Sequence, residues 1–202
     1  MNGYEILITD KPDFRKIKKA QIDNYVWGGE YRPKAYAQLV FVPDKGFIAR
    51  LTAYETGPKA VYKDNMDPVY KDSCLEFFAR YKKGGYINCE VNANGAILSA
   101  YGEGRSNRTS LDKLAEEFPK VRVYKRKDRW TAEIFVNLDI IKSVYGTCTF
   151  RENSVIYGNF YKCGDECEFV HYGSFAPVKT EKPDFHRPEY FAKMTLKNSY
   201  EI

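Results

Sequence analysis

The chain has 202 residues, 44% hydrophobic and 16% aromatic, enough for one domain (1–202) with a core of ordinary size. Its 32 basic and 27 acidic residues leave a net charge of +5 scattered along the chain. The densest basic run, 121–129, is interrupted by apolar residues at strand spacing, so it reads as a solvated strand face and no nucleic-acid partner is expected.

No window approaches the length of a membrane span, and residues 1–20 carry charges without an apolar run of signal-peptide length. No membrane partner is expected. Five cysteines form no regular framework, which points to reduced thiols. A soluble, cytoplasmic chain is the expectation; secretion with the signal peptide removed is the alternative.

In chain order, Tyr4–Ile8 reads as a short edge strand, and residues 37–55 as a hairpin turning at Pro43-Asp44-Lys45-Gly46. Residues 59–69 read as a linker. Strands over 72–81, 86–93 and 96–102 form a meander, its second turn made by Asn94-Gly95. Ser110 is placed to cap a helix over 111–118, with Pro119 beyond it. A hairpin around Lys127-Asp128 sets Arg122 opposite Glu133, and strands over 154–161 and 191–196 bring the total to eight to ten. The pattern predicts an all-β fold, an antiparallel β-sandwich of jelly-roll or immunoglobulin-like type, with one short helix.

Side chains alternate across a strand, so parity sorts them onto faces. With Leu75, Phe77, Ala79, Ile87, Cys89 and Val91 in the core, Glu76 falls on the opposite face beside Asn88, Glu90 or Asn92. A two-residue Asn94-Gly95 turn then adds Ser99 opposite Glu90 and Tyr101 opposite Asn88. Carboxylates, amides and a tyrosine on one rigid face suit sugar hydroxyls and the apolar side of a sugar ring. Two glutamates this close repel each other, which argues against a face that is merely solvated.

Residues 159–191 hold both histidines, eight aromatics and three prolines, the composition of an ordered loop that walls a site. Cys163, Cys167 and His171 invite a zinc reading, but the cysteine spacing is wide and a second pair is missing, so no metal is expected there. A Cys-His hydrolase from Cys163, His171, His186, Asp165 and Asp184 lacks a nucleophile elbow; His186-Arg187-Pro188 reads better as a loop lock.

The ordered set Tyr70, Asp72-Ser73-Cys74-Leu75-Glu76-Phe77-Phe78, Asn88-x-Glu90, Gly104-Arg105, Trp130-x-x-Glu133, 159–165, His171-Tyr172 and 183–189 resembles carbohydrate-binding module family 9. Trp27, Tyr31-x-Pro33 and Glu55 fit the same pattern, so the resemblance spans nearly the whole chain. It implies a β-sandwich and, by analogy, sugar binding between two aromatic rings. Tyr70, six residues before Glu76, matches the first ring; Phe175, or else Tyr172, matches the second. Relatives carry tryptophans there, so weaker or altered sugar preference is implied. They also bind structural calcium, but no stretch here matches well enough to carry ligands over, and no other cofactor is expected.

The expected function is non-catalytic binding of a mono- or oligosaccharide, linked to carbohydrate catabolism. Tyr70, Glu76, Asn88, Glu90, Tyr101, Arg105, Tyr172 and Phe175 would form the site, with Arg105 donating to a hydroxyl pair or a uronic carboxylate. The alternatives are a glycoside hydrolase using Glu76 and Glu90, and a protein-interaction module; no catalytic residue is assigned.

Overall fold

In the computed structural model, which describes residues 3–200, fourteen strands join one continuous sheet. They are β1 (Tyr4–Ile8), β2 (Ala20–Ile22), β3 (Asn24–Gly28), β4 (Ala35–Val42), β5 (Gly46–Ala53), β6 (Cys74–Arg80) and β7 (Tyr86–Asn92). The rest are β8 (Ile97–Gly102), β9 (Thr109–Ser110), β10 (Lys120–Lys125), β11 (Trp130–Asn137), β12 (Val155–Gly164), β13 (His171–Ser174) and β14 (Ala192–Lys197). Their order is β10-β11-β5-β4-β1-β14-β12-β6-β7-β8-β9, with β2 added to β4, and β13 joining β12 to β3. The first and last residues of the expected 1–202 domain lie outside the described residues.

The sheet curls into a sandwich. Strands β5 and β6 lie far apart in the hydrogen-bonded order, yet Phe47 on β5 and Tyr81 just past β6 bring their rings to 5.1 Å. Strand β11 shows how the sequence directs this: Trp130, Ala132, Ile134 and Val136 alternate inward and are all buried. Leu75, Phe77, Ala79, Ile87, Cys89 and Val91 lie in the same core, as parity requires. Each large apolar side chain fully buried there contributes roughly 1.5–3 kcal/mol.

Several details depart from the sequence reading. Strand β1 is interior, parallel to both β4 and β14, so the sheet is mixed and Tyr4–Ile8 is no edge. The segment 111–118 makes only a 3-10 turn, Leu111–Lys113, and the Ser110 hydroxyl donates to Asp112 instead of capping. The helix is elsewhere, α1 (Leu138–Tyr145), with the Asn137 side chain accepting from Ile140 N at 2.9 Å and Gly146 ending it at φ +73°. So short a helix is marginal without packing. Residues 138–145 bury Ile140 and Ile141 completely, whereas the earlier turn buries only Leu111.

The turn after β7 matters most for the site. Gly95 N–H donates to Asn92 O (3.0 Å), Asn92 N–H donates to Ala96 O (3.2 Å), and Gly95 sits at φ +87°. This is a three-residue loop ending in a left-handed glycine, one residue longer than the two-residue turn. The Asn92 side chain stabilises it, Oδ1 accepting from Asn94 N and Ala96 N. The extra residue shifts β8 by one, so Cys89 faces Ser99, Ile87 faces Tyr101, and Leu98 and Ala100 take the places opposite Glu90 and Asn88.

Candidate functional site

Strands β6, β7 and β12 are buried on both faces. Their inner side joins the main core; their outer side carries a second apolar layer including Phe78, Tyr86, Tyr161, Phe185 and Phe191. The register sets Glu76 directly opposite Glu90, and Cys74 opposite Cys163. These polar groups lie beneath loops rather than facing open water: Glu76 is only 3% exposed and Glu90 4%.

Above them opens a cleft of about 500 Å³, within the usual range for small-molecule sites. Glu76, Asn88, Glu90 and Cys163 form its floor with Phe78, Leu98 and Ala100. One wall carries Tyr70, on the 3-10 turn Val69–Lys71 that precedes β6. Tyr172 lines the cleft too; its ring is braced by Trp27 (6.4 Å, edge-on) and Phe185 (6.2 Å, edge-on), and Trp27 Nε1–H is anchored to Thr180 O at 2.7 Å. Phe185 in turn stacks on Tyr161 at 4.1 Å.

A chain of donors orders the floor. Arg108 donates from Nε (3.1 Å) and Nη2 (2.7 Å) to Asn88 Oδ1, and Asn88 Nδ2 donates to Glu90 Oε1 at 2.9 Å. Arg108 also bonds three backbone carbonyls, of Gly104, Tyr86 and Ala100, so its fork is fixed. His186 Nδ1 meets the Tyr86 hydroxyl at 2.8 Å, with Nε2 3.9 Å from Glu90 Oε1. Cys163 Sγ donates to Glu76 Oε1 at 3.0 Å.

Burial sets the charge state of this floor. It raises the Glu76 carboxyl well above its usual range, with the charge of Glu90 adding to the effect. Burial also lifts Glu90 to about 7, against Asn88 and Arg108, which favour the ionised form. Asp165, at the rim, rises to about 6 through burial. His186 falls to about 4 through burial and the charge of Arg108.

A family profile described as "Carbohydrate-binding family 9" matches residues 7–196. The chain belongs to carbohydrate-binding family 9. Three solved structures share the fold of this family 9 domain. A candidate carbohydrate-binding protein from Bacteroides uniformis is 19% identical, with a TM-score of 0.75 over 96% of this chain and 97% of that one. A family 9 module from Caldicellulosiruptor kristjanssonii in complex with cellotriose is 11% identical, with a TM-score of 0.68 over 98% and 95%. A family 9 module from that organism in complex with glucose is 12% identical, with a TM-score of 0.65 over 100% and 98%. No curated protein matches the chain.

Within this family 9 domain, the cleft gathers Tyr70, Glu76, Asn88, Glu90, Arg105 and Tyr172. Arg105 stands at the rim, 66% exposed, with Nη1 3.7 Å from Asp184 Oδ1. Tyr101 is elsewhere: the register shift turns it inward, where it packs edge-on to Tyr145 (5.5 Å) and its hydroxyl accepts from Gly85 N. Ser99 turns inward with it, donating to Asn88 O at 2.7 Å. Phe175 packs against the main core beside Tyr4 and Phe160, so of the two late-loop aromatics only Tyr172 reaches the cleft. Asn92 is buried on the outer face but is occupied in holding the 59–69 segment, donating to Tyr62 O and Asp72 Oδ2.

The cleft also takes in Phe78, Phe185 and Arg108 and, from the hydrolase set weighed above, Cys163, Asp165, Asp184 and His186, none of which the sequence assigns to the sugar site. Phe78 shares the parity of Glu76 and was recoverable on that ground. Cys163 follows from the β6–β12 register, which sequence does not supply. Arg108 reaches the floor from the loop before β9, and no periodicity marks it.

Cys163, Cys167 and His171 do not converge. Cys163 faces the cleft, while Cys167 and His171 crowd the other side of Gly164, where a Cβ would lie 2.6 Å from Cys167 Sγ and 2.7 Å from His171 Cε1. His171 instead belongs to a buried network. Lys162, fully buried, donates from Nζ to His171 Nε2 (2.7 Å), Cys163 O (2.9 Å) and Ser73 Oγ (3.2 Å), and lies 3.3 Å from Glu55 Oε1. Glu55 Oε2 accepts from Ser73 Oγ and Trp130 Nε1. Burial alone would raise the Glu55 carboxyl, but Lys162, Ser73 and Trp130 hold it below its usual value. Glu133, expected to pair with Arg122, keeps that register but bonds Arg50 on β5, Nε to Oε1 at 2.7 Å.

Calcium takes about six to eight oxygen ligands. Among the described residues, the one group of three ligating side chains within mutual reach is Cys74, Glu76 and Cys163. Two sulfurs and one carboxylate do not fit calcium. No helix among the described residues is long and apolar enough to cross a membrane.

Proposed function

We propose that the cleft binds a mono- or oligosaccharide and releases it unchanged, as a module serving carbohydrate breakdown. The observation that carries this reading is the pairing of two tyrosine rings, Tyr70 and Tyr172, with a floor of buried carboxyls in a family 9 chain. The rings offer flat apolar surfaces for stacking against a sugar ring, as aromatic side chains commonly do at binding centres. Glu76 and Glu90 exchange hydrogen bonds with hydroxyls, and Asn88, fixed by Arg108, orients Glu90 toward them. Arg105, exposed at the rim, donates to a second sugar unit or to a uronic carboxylate.

The same geometry supports release without turnover. Glycosidases place an acid and an ionised carboxylate on either side of the scissile bond. Glu76 and Glu90 instead rise side by side from one sheet face, and burial raises both.

Glucose and cello-oligosaccharides, the ligands named for the Caldicellulosiruptor modules, are the first to test by calorimetry with product analysis. Saturable heat without product is expected. Product formation would replace this reading with an enzymatic one, and no heat from any member of a broad glycan set would remove it.

A further inference from the structure

The register of the sheet places three metal-competent groups together: Glu76 and Cys163 in the floor of the cleft, and Cys74 buried beside them. Cys74 opens β6, and Glu76, two residues on, points to the same face. Cys163 on β12 stands directly opposite Cys74. Their ligand atoms all lie within 4.8 Å of one another, all three residues are buried, and Cys163 Sγ is 3.0 Å from Glu76 Oε1. A tetrahedral zinc ion, with bonds of about 2.3 Å to sulfur and about 2.0–2.2 Å to oxygen, separates its ligands by roughly 3.5–3.8 Å. The triangle therefore reaches that geometry by side-chain adjustment, without moving a strand.

We propose that Cys74, Cys163 and Glu76 form a binding site for a thiophilic divalent cation, zinc in its chemistry, whose fourth position opens into the cleft. Two thiolates and a carboxylate suit a borderline-soft ion and disfavour calcium or magnesium. Asp165, which lines the same cleft, offers a further carboxylate toward the open position. Without metal, burial pushes the Cys74 thiol up to about 12, and the neighbouring Cys74 thiol together with burial raises Cys163 as well. Both thiols are therefore protonated at neutral pH. Metal binding replaces two S–H bonds with two metal–sulfur bonds, and the two protons leave to solvent with no change of oxidation state. Affinity accordingly rises with pH. Because the ion takes Glu76, it also excludes a ligand that needs that carboxyl.

The site is tested on the reduced full-length chain with Co²⁺ as a spectroscopic probe and Zn²⁺ as competitor, independently of whether any sugar binds. One equivalent of cobalt should give thiolate-to-metal charge-transfer absorption, which one equivalent of zinc abolishes. Cys74→Ser and Cys163→Ser should each lose that absorption or weaken it severely, whereas Cys148→Ser and Cys167→Ser keep it. Glu76→Gln should retain the sulfur band but bind at least about tenfold more weakly, as expected for losing one ligand. A thermal melt of each variant separates misfolding from loss of the site; if Cys74→Ser does not fold, Cys163→Ser decides. No charge-transfer band in folded, reduced wild type would overturn the proposal. So would a band that survives Cys163→Ser.

Discussion

Glu76 and Glu90 are direct cross-strand partners on β6 and β7, both buried beneath the cleft. Like charges so placed destabilise a sheet, and the protein accommodates them by raising both carboxyls, so that protons take the place of counter-charges.

That arrangement has a definite pH signature. Burial raises Glu90 above its unfolded value, to about 7, so the folded state holds the proton more tightly than the unfolded chain. Its contribution is full below about 4.5 and is lost as pH rises through 7. Glu90→Gln removes this dependence. The stability of wild type relative to the variant should fall by about 3 kcal/mol between pH 4.5 and 8. Denaturant melts across that range check it; a constant difference would mean that Glu90 titrates normally.

The Lys162–Glu55 pair makes a separate prediction. Lys162 is fully buried and Glu55 nearly so, with Ser73, Trp130 and His171 completing their bonds. Removing one partner strands a buried charge, so Lys162→Met should cost about 3–5 kcal/mol. The double variant Lys162→Met with Glu55→Gln should recover much of that loss. Denaturation midpoints of the single and double variants decide it, and strict additivity of the two losses would contradict the coupling.

Thiol reactivity follows burial. All five cysteines are free; Cys74, Cys89 and Cys163 are buried, while Cys148 and Cys167 are partly exposed. Burial holds the Cys74 and Cys89 thiols up near 12. An alkylating reagent on native, reduced protein should therefore modify two cysteines quickly and three only on unfolding. Mass spectrometry of timed samples reads this directly, and rapid modification of Cys74 or Cys163 would show the floor to be open.

Much of the site was legible because strand parity is a strict rule. Once Leu75 and Phe77 go inward, Glu76 must go outward, and Asn88 and Glu90 join it because Ile87, Cys89 and Val91 also go inward. Tyr101 and Ser99 failed by one residue. Asn94-Gly95 makes a two-residue or a three-residue hairpin, and the choice here turns on the Asn92 side chain bonding Asn94 N and Ala96 N. Contacts between distant segments, such as Arg108 on Asn88 or Cys163 opposite Cys74, depend on tertiary register and leave no periodic trace. The helix was misplaced because Ser110 and Asn137 are both acceptable caps, and burial of Ile140 and Ile141 decided between them.

The central claim is that sugar binds between Tyr70 and Tyr172 over the Glu76–Glu90 floor, and the sharpest measurement compares three aromatic truncations by calorimetry alongside thermal melts. Tyr70→Ala and Tyr172→Ala each remove a cleft wall, and should weaken binding by about thirtyfold, roughly 2 kcal/mol, with little loss of melting temperature. Phe175→Ala removes a core contact with Tyr4 and Phe160, and should lower stability by about 2–4 kcal/mol while leaving affinity near wild type in the folded protein. Unchanged affinity in both tyrosine variants, or a thirtyfold loss confined to Phe175→Ala, would contradict the account.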